Sequence, residues 1–426
     1  MMYLKNNSNI ELINFYKNQI ENNFYKFWNK AVDRHNGGIF NCFNNTGTEL
    51  ISKNKYTWSQ GRFVWIWSKL YELAKNGKLS LDTKSLNEDL DMTVTFLEKH
   101  IYLPNNNCAF LMDEKGNWLE SSHGKGYDNS FYADCFVVLG FSAYARVFNN
   151  KHYAELALKT YKQIQKRLKD GNIKSEPYPI PNGYKFHSVP MIMLNVAGEL
   201  ALALKVFDIE KYEEVDADSC NYMNEIVQVF YNVDDGIINE VIGPDDISLK
   251  SVLCQHFNPG HVIEDMWFVL NLAQKKNNFN YISKAAKALK TAITIGWDDK
   301  YGGLLRFTDK IGGKPNGEQI GYAYEKLILE TWDTKLWWPH SEMLYATLLA
   351  YSLTRDEEFI SLYNMVHHYA FKTFPNENDE IGEWIQIRDR KGRPINKVVA
   401  LPVKDPYHIL RSMILILELL GEKLQN

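Results

Sequence analysis

Apolar residues recur at steps of three and four along most of the chain. Residues 10–31 carry Ile10, Ile13, Tyr16, Ile20, Phe24 and Phe27 in that rhythm, and residues 60–75 carry Phe63, Ile66, Leu70 and Leu73. A period near 3.6 places such residues on one face of a helix. The same pattern marks 83–100, 129–149, 153–168, 188–206, 209–231, 261–275, 280–296, 319–331, 340–354, 356–373 and 405–420. The pattern predicts about thirteen helices and no long strand, with ends uncertain by about two to four residues.

The connections between these helices also repeat. An Asp, one or two Gly and an apolar residue recur at Asp33…Gly37-Gly38-Ile39, Asp113…Gly116, Asp170-Gly171, Asp235-Gly236-Ile237, Asp299…Gly302-Gly303-Leu304 and Asp379…Gly382. Successive Gly positions lie 55–79 residues apart, room for two helices, their link and a turn or short hairpin. Six helix pairs can close into an (α/α)6 barrel, an all-α toroid. The more apolar helices would form its inner ring, and the loops at one end would line a cleft. No Pro- or Ser-rich linker interrupts the chain, so residues 1–426 read as one domain.

Composition narrows the function. Forty-five per cent of residues are hydrophobic, enough for a sizeable core. The formal net charge of −4 gives no electrostatic case for nucleic acid. Apolar stretches such as Met413–Leu417 are too short to span a bilayer, and the first residues show no apolar signal core. Neither nucleic acid nor membrane is expected as a partner. Five scattered cysteines without a CxxC fit a reducing compartment and argue against a zinc site. A cytoplasmic location is expected.

Four histidines stand at helix starts. Asn258-Pro259-Gly260-His261 opens one helix, with Asn258 as N-cap and Glu264 three residues on, on the same face. An imidazole beside a carboxylate is a candidate general base. Trp337-Trp338-Pro339-His340-Ser341-Glu342 opens another, and its indoles and carboxylate suit a sugar's C–H faces and hydroxyls. Pro406-Tyr407-His408 and Phe186-His187-Ser188 give the third and fourth cases. Each alone is more often structural than catalytic; in a toroid, however, all four starts can converge. Arg62 follows Tyr56 and Trp58 near a further helix start, where a guanidinium can clamp an oxyanion or hydroxyls as readily as form an ordinary salt bridge. His367-His368 read as surface residues. No dinucleotide fingerprint, phosphate loop, GxSxG elbow or HExxH pair occurs.

These blocks resemble the N-acylglucosamine 2-epimerase family. The resemblance rests on Lys55-x-x-Trp58-x-Gln60-Gly61-Arg62-x-Val64-Trp65, Asn258-Pro259-Gly260-His261-x-Ile263-Glu264-x-x-Trp267-Phe268, Lys335-Leu336-Trp337-Trp338-Pro339-His340-Ser341-Glu342 and Gly382-Glu383-Trp384. It implies an (α/α)6 barrel, two catalytic histidines at His261 and His408, an active-site Arg62, and carboxylates at Glu264 and Glu342. The reaction it implies is inversion of sugar C2 by deprotonation and reprotonation through an enediolate, without metal or other cofactor. His187, Trp338, Glu342 and Tyr56 are expected to bind the sugar, with a homodimer left open. Two departures bear on the substrate. Relatives acting on unmodified sugars carry a His where this chain has His187, whereas N-acyl-sugar enzymes usually carry an apolar residue. The Lys404–Arg411 segment also lacks their small residues. N-acylglucosamine stays first, ahead of mannose, glucose or cellobiose. A glycoside hydrolase using Glu264 and Glu342, or a silent carbohydrate-binding barrel, is the reading from another class.

Overall fold

Apolar character all round a helix means burial on every side, and half of the long helices have it. In the computed structural model, residues 9–398 and 401–423 are described. In chain order the long helices are α1 (residues 9–30, passing through a π turn at Gln19–Phe24), α2 (Thr57–Lys75), α3 (Thr83–His100), α4 (Phe131–Phe148), α5 (Lys151–Lys169) and α6 (Ser188–Phe207). They continue as α7 (Ile209–Glu225), α8 (Pro259–Lys275), α9 (Phe279–Gly296), α10 (Trp337–Thr354), α11 (Glu358–Thr373) and α12 (Tyr407–Lys423). Even-numbered helices are buried on most faces; odd-numbered ones bury a single stripe. Each even helix packs on the even helices before and after it, and α12 returns to α2, closing an inner ring. The odd helices form the outer ring. This is an (α/α)6 barrel, as the periodicity predicts.

The ring seals where its two chain ends meet. The Tyr16 hydroxyl on α1 lies 2.8 Å from that of Tyr363 on α11. The Trp28 indole N–H donates to buried Glu383. His367, expected at the surface, is 2 % exposed, set among Phe15, Tyr363 and Phe371, and burial pushes its imidazole down to about 4. Only its neighbour His368 faces solvent, because adjacent helical residues point about 100° apart. Helices α4 and α6 are each long and apolar enough to cross a bilayer, unlike the short runs singled out in the sequence. Their most apolar windows are 78 % and 61 % buried inside the protein, so inner-ring packing accounts for them.

The Asp-Gly repeat narrows to three equivalent turns. Asp33, Asn232 and Asp298 each accept the N–H of a glycine (Gly37, Gly236, Gly302) and donate to the carbonyl of residue 38, 237 or 303. Gly37 and Gly302 have φ of 96° and 71°, a backbone that side chains other than glycine's rarely adopt. The repeat therefore uses Asn232 and Asp298 rather than Asp235 and Asp299. Asp170-Gly171 instead ends α5. Buried lysines brace two of the turns: Lys55 reaches Asp33 at 2.7 Å, and Lys335 reaches Asp298 at 3.1 Å. Both lysines sit in two-residue strands that lead directly into an inner helix.

Those short strands set the register of the helix starts. Lys55–Tyr56 pairs with Leu111–Met112, His256–Phe257 with Thr308–Asp309, and Lys335–Leu336 with Ile387–Arg388, all antiparallel. Lys185 opposes Ile242 and Phe186 opposes Val241. All six inner helices begin at the same end of the barrel, around one cavity.

Candidate active site

The cavity, of about 210 Å³, is lined by the first turns of the inner helices. Trp58 and Arg62 come from α2, Phe136 from α4, Met191 and Ile192 from α6, His261 and Glu264 from α8, and His408 and Arg411 from α12. Trp338 comes from α10, which starts at Trp337, three residues before the predicted helix; Pro339 is tolerated because a first-turn proline forfeits no intrahelical bond.

His261 sits at the third position of α8. Asn258 caps that helix, its side-chain oxygen accepting the His261 N–H at 3.3 Å, as expected. The imidazole Nδ1 lies 2.7 Å from the Glu240 carboxylate, and a quarter of the side chain is exposed to the cavity. The carboxylate holding His261 is therefore Glu240, not Glu264. Burial opposes charge on Glu240, yet His261 and His187 hold its carboxyl well below the usual range.

His408 is built the same way from other parts of the chain. Its Nδ1 lies 2.8 Å from Glu342, so the Nδ1 proton is donated there and Nε2 is left to accept. Burial, with the Arg62 and Arg411 guanidiniums nearby, pushes its imidazole down to about 3, so the ring stands neutral at physiological pH. The two imidazoles flank one indole: the Trp338 ring lies 5.7 Å from His261 and 5.3 Å from His408, centroid to centroid.

Arg411 organises the floor. Its Nη2 reaches Glu264, and Glu342 at 2.6 Å, and stands 3.3 Å from His408 Nδ1. Glu264, Glu342 and His408 form the set of groups that could hold a metal ion among the described residues. The guanidinium already occupies the centre of that set. Arg62 pairs with Asp405, and its guanidinium lies 4.1 Å from the Phe136 ring. The aromatic face fixes the plane of the fork at the cavity wall.

Five expected site residues thus converge on the cavity: His261, His408, Arg62, Glu264 and Trp338. Three do not line it. Glu342 is 1 % exposed and lies behind His408, taken up by Arg411, His408 and the Trp267 indole N–H at 2.8 Å. Burial raises its pKa despite those partners. Its carboxylate is engaged by His408, Arg411 and Trp267 and does not line the cavity where it was expected to meet sugar. His187 is fully buried and bonds Asp265 at 2.7 Å. Tyr56 packs its ring on Phe110, outside the cavity wall. His340, at the fourth helix start, is also structural: Nδ1–H donates to the Leu336 carbonyl at 2.6 Å and Nε2 accepts the Leu304 N–H at 2.8 Å. Glu240, Arg411 and Asp405 were not singled out by the sequence. Arg411 stands one turn from His408, a signal that was present.

The N-acylglucosamine 2-epimerase (GlcNAc 2-epimerase) family profile matches residues 38–412. The chain belongs to the N-acylglucosamine 2-epimerase family. The rat N-acylglucosamine 2-epimerase (Rattus norvegicus) is 26 % identical over 94 % of this chain and 90 % of its own length. A cellobiose 2-epimerase from Ruminococcus albus is 23 % identical over 93 % of this chain and 96 % of its own. The solved cellobiose 2-epimerase from Bacillus thermoamylovorans superposes with a TM-score of 0.72 at 18 % identity, covering 96 % of this chain and 99 % of that one, a match in fold. The family and these relatives are named as epimerases, which are isomerases.

Proposed function

We propose that this protein is a sugar 2-epimerase that inverts C2 through the enolate left by removal of the C2 proton, an enediolate where the sugar carries a 2-hydroxyl, with His261 and His408 as the two proton-transfer groups. The observation that carries the reading is the pair of imidazoles lining one cavity beside Trp338, each with Nδ1 tied to a buried carboxylate. The aldehyde of an opened aldose acidifies its C2–H. One imidazole takes that proton, and the other delivers one to the opposite face. Arg62 supplies positive charge for the developing oxygen, as preorganised donors do in such reactions. With a 2-hydroxy sugar, return of the proton to C1 instead would give a ketose with the same groups.

N-acylglucosamine and N-acylmannosamine are the preferred substrates. Of the two departures toward unmodified sugars, the Lys404–Arg411 segment stands, but His187 does not face the sugar, being sealed behind the cavity wall. The segment it introduces contributes Met191 and Ile192 to the wall, apolar neighbours suited to an acyl methyl. A hydrolase would need two carboxylates facing the scissile bond. Glu264 and Glu342 instead share one guanidinium, and Glu342 does not line the cavity; the other carboxylates at the wall, Glu240 and Asp405, are tied to His261 and Arg62.

Incubation in D2O with N-acetylglucosamine, N-acetylmannosamine, mannose, glucose and cellobiose tests the reading by NMR. Deuterium is expected at C2, fastest with the N-acetyl sugars. New reducing ends without C2 exchange would identify a hydrolase, and neither signal would leave a binding protein. We also propose that the reaction is metal-independent, because Arg411 supplies the cation at the Glu264–Glu342–His408 cluster. Dialysis against a chelator should leave kcat unchanged; loss of activity restored by a divalent ion would refute this.

A further inference from the structure

Behind His261 lies a second histidine that the proton transfer does not touch. The antiparallel pair Lys185–Phe186 with Val241–Ile242 fixes its surroundings. Continuing the register by one rung places His187 opposite Glu240, and the His187 N–H donates to the Glu240 carbonyl at 2.9 Å. Helix α8 faces this rung with His261 and Asp265, four residues apart and therefore one above the other. The four side chains form a square, linked on three sides by contacts and on the fourth only by the α8 backbone that carries His261 and Asp265. His261 Nδ1 meets Glu240 Oε1 at 2.7 Å, and His187 Nε2 meets Asp265 Oδ2 at 2.7 Å. His187 Nδ1 stands 3.6 Å from Glu240 Oε2, in ion-pair range. His187 and Asp265 are fully buried, and Glu240 is 2 % exposed.

We propose that His187 is a positioning residue: as a buried cation between Asp265 and Glu240, it keeps Glu240 ionised, and Glu240 then keeps the His261 proton on Nδ1. This rests on the reading of His261 as a proton-transfer group. The chemistry of the square explains why the cation matters. An ionised Glu240 can only accept, so it selects the tautomer with hydrogen on Nδ1 and a lone pair on Nε2. Without a cation, two carboxylates would share a dry site, and such pairs retain a proton. A protonated Glu240 would donate to Nδ1. The imidazole hydrogen would then move to Nε2, where no proton can be accepted from the substrate.

The environment supports a charged His187. Complete burial works against an imidazolium, but Asp265 and Glu240 outweigh it and raise its pKa to about 9. Asp265 itself is raised by burial, with His187 pulling the other way. The ionisable groups facing the square are Glu264 beside Asp265 on α8, His256 on the strand before α8, and Tyr132 and Tyr324 on the Glu240 side. Burial holds His256 neutral down to about 4, so it does not replace the cation.

The test compares His187→Asn and Asp265→Asn with the unmodified enzyme. His187→Asn should lower kcat by about 10²-fold or more, the scale of a lost general base, with KM and the ratio of N-acetyl to unmodified sugar unchanged. Its kcat–pH profile should lose activity at a higher pH on the acid side, because Glu240 must shed a proton before His261 can accept one. Asp265→Asn keeps the His187–Glu240 pair and removes one negative charge, so its loss should be much smaller. Equal losses in the two variants with an unshifted pH profile would reduce His187 to a packing role and overturn the proposal. A change in KM or in the substrate ratio alone would overturn it in favour of sugar recognition. Imidazole 15N NMR of the unmodified enzyme gives a readout that needs no variant to fold. His187 should carry both ring protons at neutral pH while His408 carries one, and a neutral His187 would refute the proposal. The NMR readout is taken without sugar. It therefore separates failure of the charge array from failure of the epimerase reading, which the D2O experiment decides.

Discussion

His408→Ala should slow epimerisation by about 10²–10⁴-fold, the usual contribution of a positioned acid–base group. His261→Ala should fall in the same range. The isotope pattern makes the prediction sharper than a loss of rate. If each imidazole serves one face of C2, the variant lacking His408 still has His261 to remove the proton facing it. That variant should exchange C2 deuterium into one epimer while leaving the other untouched, and it should convert neither. His261→Ala should show the opposite preference. The measurement is 1H NMR of each pure epimer in D2O with each variant. Equal exchange into both epimers by both variants would mean that one group, or water, reaches both faces. The two rings come from different inner helices, α8 and α12, and both lie near Trp338; this makes face selectivity the expected result.

The second large effect is on stability. Arg411 is 1 % exposed and is the shared cation of Glu264 and Glu342. Arg411→Met keeps the volume of the stem and leaves two carboxylates without their counter-charge. Removing one partner of a buried ion pair costs about 3–5 kcal/mol. The loss should depend on pH, and the sign follows from Glu342. Burial already raises its pKa above the unfolded value with Arg411 in place. A carboxyl raised on folding takes up a proton as the chain folds, so its folded state is favoured at low pH and loses stability as pH rises. Without Arg411 this rise is larger. Urea midpoints for Arg411→Met should therefore lie furthest below the unmodified protein near pH 8 and recover towards pH 5. Arg411→Lys should recover only part of the difference, because an ammonium lacks the planar fork. A deficit independent of pH would sink the ion-triad account and leave only lost packing.

The helices were legible because their packing leaves a period in the sequence. Phe63, Ile66, Leu70 and Leu73 are all buried on α2. The inner ring was legible from helices such as α4, whose residues from Ala133 to Ala145 are all buried. Convergence of His261, His408, Arg62, Glu264 and Trp338 was legible because each lies within the first two turns of an inner helix. What a side chain does once it is there was less legible. Glu342 lies one turn below Trp338, about 6 Å deeper along α10, and that depth moves it from the wall to the layer beneath. His187 stands just before its helix, directly after the strand Lys185–Phe186, and its ring is buried against Asp265 instead of lining the cavity. Glu240 was missed because its place depends on a two-residue strand pair joining positions 53 residues apart in the chain, from His187 to Glu240. Such a pair leaves no period. The only trace is one carboxylate after Ile237-Ile238-Asn239 and before Val241-Ile242.

That the six inner helices all begin at the cavity has an electrostatic consequence that no single residue carries. Each helix start presents the equivalent of about half a positive charge, from backbone N–H groups not consumed within the helix. Six such starts point at the space between His261 and His408. The resulting potential favours an anion there and comes from the backbone, so side-chain replacement does not abolish it. The enolate left by removing a sugar's C2 proton is an anion formed from a neutral molecule, and this field acts on it far more than on the ground state. On the proposed reaction, the architecture of the barrel would thus lower the energy of the intermediate alongside the proton transfers at the imidazoles.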